Sequence, residues 1–207
     1  MSDPLRGLYA IADTGLLPAE RLVEKLALAL QGGARLVQYR DKKAFPPEQR
    51  IWQATDLVHL CRGFQVPLII NDDVDLALAV GASGVHLGRE DMDIAEARRC
   101  LGASAIIGVS CYNDLSLALK AEASGANYIA FGRFFPSQTK PLAVQTDPEI
   151  LKVAKRHLKI PIVAIGGINP ANARLLVEMG ADMVAVVHGL FGQANVLAAA
   201  TQFSKLF

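Results

Sequence analysis

Asp72 and Asp91 are the residues whose placement speaks first to chemistry. Each closely follows a short apolar run, in N-D-D at 71–73 and H-L-G-R-E-D at 86–91, with Asp73 and Glu90 beside them. Carboxylates brought to one place from adjacent strand ends offer hard oxygens, which suit Mg²⁺. Arg40, Lys42 and Lys140 belong to the same rim if the runs are parallel strands. Cations and carboxylates around one pocket are what a magnesium–polyphosphate complex requires, since it must be neutralised from both sides. The plainer alternative is a set of ordinary ion pairs, with Asp73 capping the next helix.

A second feature is Gly166-Gly167-Ile168. Two glycines let backbone N–H groups approach an anion, and a helix opening at Asn169-Pro170 would aim its positive end there. A tight turn needing positive φ is the competing reading. The segment from Phe131 to Pro141 is long for a strand-to-helix connection. It combines aromatics, Pro136 and the hydroxyls of Ser137 and Thr139 with Lys140, as an active-site lid does. Other polar residues read as structural. His86, between Val85 and Leu87, fits a satisfied core histidine, and His59 and His157 fall on expected helices. Cys111 follows Ser110, but no partner base can be placed for a catalytic thiol. Neither a Ser-His-Asp order, a Walker loop nor H-E-x-x-H occurs.

The elements that must position these groups are eight short apolar runs: Leu8–Ala12, Leu36–Tyr39, Leu68–Ile70, Val85–Leu87, Ala105–Val109, Tyr128–Phe131, Ile162–Ile165 and Met183–Val187. Apolar at nearly every position, they suit strands covered on both faces, as in parallel sheets. Helical spacing lies between them, as in Leu22, Leu26 and Leu30, or Leu115, Leu119 and Ala123. Gly32-Gly33, Gly81, Gly102, Gly125 and Gly180 sit where helices should end; Pro18, Pro47 and Pro170 sit where they should begin. Eight repeats over 207 residues give about 26 residues per unit, near the minimum for a (β/α)8 barrel. An open doubly wound sheet would more readily show G-x-G-x-x-G after the first strand, and none is present. The expectation is therefore an α/β protein, one single-domain (β/α)8 TIM barrel over 1–207. In it the polar tips after seven of the strands converge on one rim: Gln38 to Lys42, Asn71 to Asp73, His86 to Asp91, Ser110, Gly132-Arg133, Gly166 to Asn169 and His188-Gly189.

Composition limits the partners. Hydrophobic residues make up 52% of the chain, and 21 Lys and Arg against 20 Asp and Glu leave a formal charge of +1. With positive mean hydropathy (+0.28), this is no disordered chain. Near-neutrality gives no long-range pull toward nucleic acid or acidic membranes. Apolar stretches are too short and interrupted to span a membrane, and the first residues lack a secretory pattern. Three widely spaced cysteines, Cys61, Cys100 and Cys111, argue against a disulfide framework or zinc knuckle and for a reducing cytoplasm.

In their order, Q-Y-R-D-K, N-D-D-V-D-L-A, H-L-G-R-E-D-M, G-V-S, F-F-P-S-Q-T-K-P, A-I-G-G-I and G-A-D-M-V-A-V-V resemble the thiamine phosphate synthase family over nearly the whole chain. That family joins a hydroxymethylpyrimidine diphosphate to a thiazole phosphate, forming thiamine phosphate and pyrophosphate. The resemblance implies that Gln38, Arg40, Lys42, Asn71, Ser110 and Lys140 hold the pyrimidine diphosphate, with Ser110 and Lys140 serving catalysis. It implies Mg²⁺ on Asp72 and Asp91. Ser137, Thr139, Gly167, Val187 and His188 would hold the thiazole phosphate. It also suggests self-association. Ser137 stands where threonine is common, Arg89 where glutamine is usual and Ala12 where threonine is usual. His188 stands where a serine often contacts the thiazole phosphate. The related thiazole tautomerases depart at the second metal aspartate and carry a histidine shortly after the strand-five serine. Here Asp91 is present and Tyr112 occupies that position, which favours the synthase. A non-catalytic phosphate-ligand sensor on the same barrel is a further alternative.

Overall fold

The computed structural model describes residues 5–42, 45–137 and 144–207. Strand and helix alternate from the start: β1 (Gly7–Asp13), α1 (Ala19–Gln31), β2 (Ala34–Arg40), α2 (Pro47–Gly63), β3 (Leu68–Asn71) and α3 (Val74–Val80). Then follow β4 (Gly84–Leu87), α4 (Ile94–Leu101), β5 (Ile106–Tyr112), α5 (Leu115–Ala123), β6 (Tyr128–Phe131) and α6 (Glu149–His157). The chain closes with β7 (Ile162–Ile165), α7 (Ala173–Glu178), β8 (Met183–Val186), the short α8 (His188–Phe191) and α9 (Val196–Ser204). All eight strands run parallel in sequence order, and β8 pairs with β1 to close the barrel. The expected (β/α)8 barrel is the fold.

The strands lie inside two apolar layers because side chains alternate along each one. On β1, Leu8, Ala10 and Ala12 face the helices, while Tyr9 and Ile11 face the barrel interior. The inner layer continues with Leu36, Ile69, Tyr128, Ala130, Val163, Met183 and Ala185. This alternation carries Gln38 and Arg40 inward after Leu36, and Asn71 inward after Ile69.

Helix ends follow the expected chemistry. Asp73 caps α3, accepting a 2.9 Å hydrogen bond from Leu76 N–H, and Gly81 ends it in the left-handed conformation (φ 63°). The outer ring closes where α9 meets α1. A Cβ on Gly32 would lie 2.4 Å from Ala200 Cβ, so only glycine permits that approach, and Ser204 Oγ donates to Gly32 O at 2.7 Å.

Three expectations are corrected. Leu22, Leu26 and Leu30 are buried as read, but Leu119 and Ala123 are exposed, and α5 packs instead through Ala118 and Ala121. Its sequence is apolar nearly all round, so spacing alone could not select the face. The seventh helix begins at Ala173 rather than Asn169-Pro170. Asn169 Oδ1 accepts from the N–H groups of Ala171 (2.9 Å) and Asn172 (3.1 Å), and these donors are closed into a turn. Finally, β5 runs past Ser110 to Tyr112, with a bulge between them against β6.

Candidate functional site

Polar side chains at inward positions near the C-terminal strand ends open into one cavity of about 360 Å³. Gln38 and Arg40 enter from β2, Asn71 from β3, His86 from β4, and Ser110 and Tyr112 from β5. Opposite them stand Gly132 and Arg133 after β6, Gly166 to Asn169 after β7, and Val187, His188 and Gly189 after β8; Ser137 also lines the cavity. Of the expected substrate-binding residues, Gln38, Arg40, Asn71, Ser110, Ser137, Gly167, Val187 and His188 thus line one space. Thr139 and Lys140 lie outside the described residues.

Each wall has its own electrostatic character. Arg40 pairs with Asp13, its register partner on β1, and both side chains are largely buried. Asn71 Nδ2 is buried and has no hydrogen-bond partner among the described residues. A buried donor left unmade is costly, so this amide is poised for an acceptor brought by a ligand. On the far wall Gly167 holds φ 66°, and a Cβ there would lie 2.3 Å from the Pro136 carbonyl oxygen. Two glycines therefore let the segment after β6 lie directly on the turn after β7. The first N–H groups of α8 have no intrahelical acceptor, as at every helix start.

Lys42, Asp72 and Asp91 gather on the rim beside this cavity rather than among its lining residues. Lys42 Nζ lies 2.5 Å from Asp72 Oδ2, and Gly88 N–H donates to Asp91 Oδ2 at 2.6 Å. Asp72 has φ 63°, an uncommon conformation for a non-glycine residue, held by its N–H donating to His86 O at 2.9 Å. The two carboxyl groups lie close enough to shift each other's ionisation. Burial raises the Asp91 carboxyl, and the adjacent Asp72 raises it further against the Gly88 N–H. Burial also works against the ionised Asp72, but Lys42 and the neighbouring Asp91 carboxyl together hold it below the usual carboxylate range. Such a pair fits Mg²⁺, which is commonly held by one or two carboxylates while waters and substrate phosphates fill its other positions. Among the described residues no group of three or more His, Cys, Asp or Glu could hold a metal.

Neighbouring charges have structural work. Arg50 bridges Asp41 and Asp73, each at 2.9 Å, which fixes the chain between β2 and α2 to the start of α3. Cys111 is fully buried and burial pushes its thiol up to about 12, in keeping with a non-catalytic role.

His86 is the correction that matters most. It is a buried, hydrogen-bonded histidine, as its flanks suggested, yet it also lines the cavity. Its Nε2 lies 2.9 Å from Ser110 Oγ and its Nδ1 3.0 Å from Tyr128 Oη. The reading of His86 as a core histidine alone is therefore incomplete, since it stands beside the Ser110 hydroxyl. The available signal was strand parity: on β4, Gly84 and His86 share the inward face. Tyr9 carried the same signal beside Ile11, whereas nothing local marked Asp13 as the partner of Arg40. Arg89 places its guanidinium 4.9 Å from the centre of the Tyr112 ring, forming a cation–π contact at the cavity edge.

Known proteins share this sequence and fold. The family model described as thiamine monophosphate synthase matches residues 8–190. A thiamine-phosphate synthase of Nitrosococcus oceani is 53% identical over 207 residues, covering 100% of this chain and 95% of the relative. One from Marinobacter nauticus is 53% identical over 203 residues, covering 97% and 90%. Among solved structures, a thiamine phosphate pyrophosphorylase from Pyrococcus furiosus superposes with a TM-score of 0.88 at 38% identity, covering 98% of this chain and 96% of that one.

Proposed function

The chain belongs to the thiamine monophosphate synthase family of transferases, and we propose that its cavity joins a pyrimidine diphosphate to a thiazole phosphate, releasing pyrophosphate. The observation that carries this reading is the two-sided cavity. Arg40, Asn71 and Ser110 offer cation and donors on one wall, and the glycine turn after β7 with the start of α8 offers backbone N–H groups on the other. These two walls would suit a diphosphate on one side and a monophosphate on the other.

The bonds follow from the substrates' chemistry. The carbon–oxygen bond of the pyrimidine methylene breaks first, and its electron pair departs with pyrophosphate. The electron-rich aminopyrimidine stabilises the resulting cation. The thiazole nitrogen then attacks with its own lone pair and forms the carbon–nitrogen bond. That nitrogen carries no proton to remove, so no general base is required. The protein's contribution is electrostatic: Arg40, Lys42, Ser110 and Lys140 stabilise charge growing on the leaving group. Asp72 and Asp91 would hold Mg²⁺, which supplies Lewis-acid neutralisation of the diphosphate when bound. Holding both substrates in one cavity supplies orientation.

A coupled pyrophosphate-release assay with both substrates and Mg²⁺ tests the reading. Release is expected only with all three present and is abolished by excess EDTA. Binding of either phosphate compound without release would leave a sensor; full turnover in EDTA would remove the metal. The expected cytoplasmic setting is also a proposal, supported by biosynthetic relatives and by three free cysteines. No helix among the described residues is long and apolar enough to cross a membrane.

A further inference from the structure

Five side chains from five strands form one continuous hydrogen-bonded chain across the cavity floor. Gln38 Nε2 donates to Tyr9 Oη at 2.7 Å, and Tyr9 Oη lies 2.8 Å from Tyr128 Oη. From there the chain passes to His86 Nδ1 at 3.0 Å, and from His86 Nε2 to Ser110 Oγ at 2.9 Å. Each hydroxyl has one hydrogen to give, and a neutral imidazole has one N–H. If every buried hydrogen is to find an acceptor, the direction of one member fixes its neighbours.

With the Gln38 amide donating, Tyr9 gives its hydrogen to Tyr128, and Tyr128 gives its own to His86 Nδ1. His86 then carries its hydrogen on Nε2 and donates to Ser110 Oγ. The Ser110 hydrogen is left over, and Ser110 lines the cavity. The opposite direction needs either the Gln38 amide turned over or the buried Tyr9 hydrogen left without an acceptor. Ser110 would then donate to Nε2, as a serine activated for nucleophilic attack does, and could only accept from a ligand. Burial keeps both phenols protonated, so each retains the hydrogen the chain requires. Tyr128 is fully buried and is not among the residues lining the cavity. A Cβ on Gly108 would fall 1.9 Å from Tyr128 Cζ, so the ring's seat depends on that glycine.

We propose that Tyr128 and His86 are positioning residues which hold the Ser110 hydroxyl as a hydrogen-bond donor to a phosphate oxygen of the outgoing diphosphate. No proton leaves Ser110; the hydroxyl strengthens a hydrogen bond as negative charge grows on the acceptor. This rests on the substrate assignment above for the acceptor's identity, while the direction of the chain is a property of the free protein.

Nitrogen-15 NMR of the imidazole rings of the substrate-free wild-type protein reads that direction, with His86 assigned by its loss in His86→Gln. A neutral ring protonated at Nε2 is expected; protonation at Nδ1, or at both nitrogens, overturns the proposal. Tyr128→Phe removes the donor to Nδ1 without touching the cavity. It should shift the ring toward Nδ1–H and lower kcat for pyrophosphate release by roughly tenfold to a hundredfold, the worth of one charge-assisted hydrogen bond. KM for the pyrimidine diphosphate should hardly change. His86→Gln retains an amide N–H to present to Ser110 and should keep more turnover than His86→Leu. Unchanged kcat in Tyr128→Phe, or equal losses in both His86 variants, also overturns the proposal. A wild-type protein that releases no pyrophosphate removes the substrate assignment, while the ring spectrum still decides the direction.

Discussion

Asp13 and Arg40, the last residues of two neighbouring parallel strands, stand in register and form an ion pair at the mouth of the barrel. Asp13 also accepts from Gly15 N–H at 2.9 Å, so one carboxylate turns the chain after β1 and aims the guanidinium. Removing one partner of a largely buried pair leaves the other charge uncompensated, at a cost of about 3 kcal/mol. Asp13→Ala should therefore lower the melting temperature by roughly 10 °C and raise KM for the pyrimidine diphosphate. A variant that melts and binds as the wild type does would show that Arg40 is held by something else.

Lys140 lies outside the described residues, and its role follows from the family resemblance. Loss of one donor to developing charge commonly costs about 10²–10³ in rate. Lys140→Ala should lose turnover of that order while its circular dichroism and melting curve stay unchanged. Near-full activity would take this lysine out of the reaction.

Asp91→Asn should leave the barrel folded and raise the Mg²⁺ concentration needed for half-maximal pyrophosphate release. An amide still offers an oxygen but carries no charge for a hard cation. Superimposable Mg²⁺ titrations of variant and wild type would place the ion elsewhere.

Gly167→Ala would force a side chain into a left-handed conformation, costing about 1–2 kcal/mol, and against the Pro136 carbonyl oxygen at 2.3 Å. The segment after β6 must then shift away from the turn after β7. The expected result is a raised KM for the thiazole phosphate, larger than any change for the pyrimidine diphosphate. Steady-state kinetics with each substrate varied in turn checks it.

The thiols divide by burial. Cys61 and Cys111 are buried, and burial pushes both up to about 12, while Cys100 is exposed. One thiol should react promptly with Ellman's reagent in the native protein and all three after denaturation. Rapid native labelling of all three would mean that the outer layer opens readily.

Much of this was open to reading in the chain itself. Eight β-rich runs with glycines and prolines at their junctions admit few arrangements other than a closed parallel barrel. In that arrangement residues following the strands must share one rim. Gln38, Arg40, Asn71, Ser110, Gly167 and His188 were reachable on that ground, since backbone periodicity and connection length are local properties. Leu119 was misread because α5 is apolar on several faces, and local pattern then has nothing to choose with.

Pairing was decided only in three dimensions. Whether His86 is core or site depends on Ser110 and Tyr128, which lie 24 and 42 residues away. Arg40 finds Asp13 across a strand boundary set by register, and Asp72 shifts the ionisation of Asp91 where two loops meet. A side chain's chemistry depends on the dielectric, donors and charges within a few ångströms, and folding brings those neighbours from anywhere along the chain.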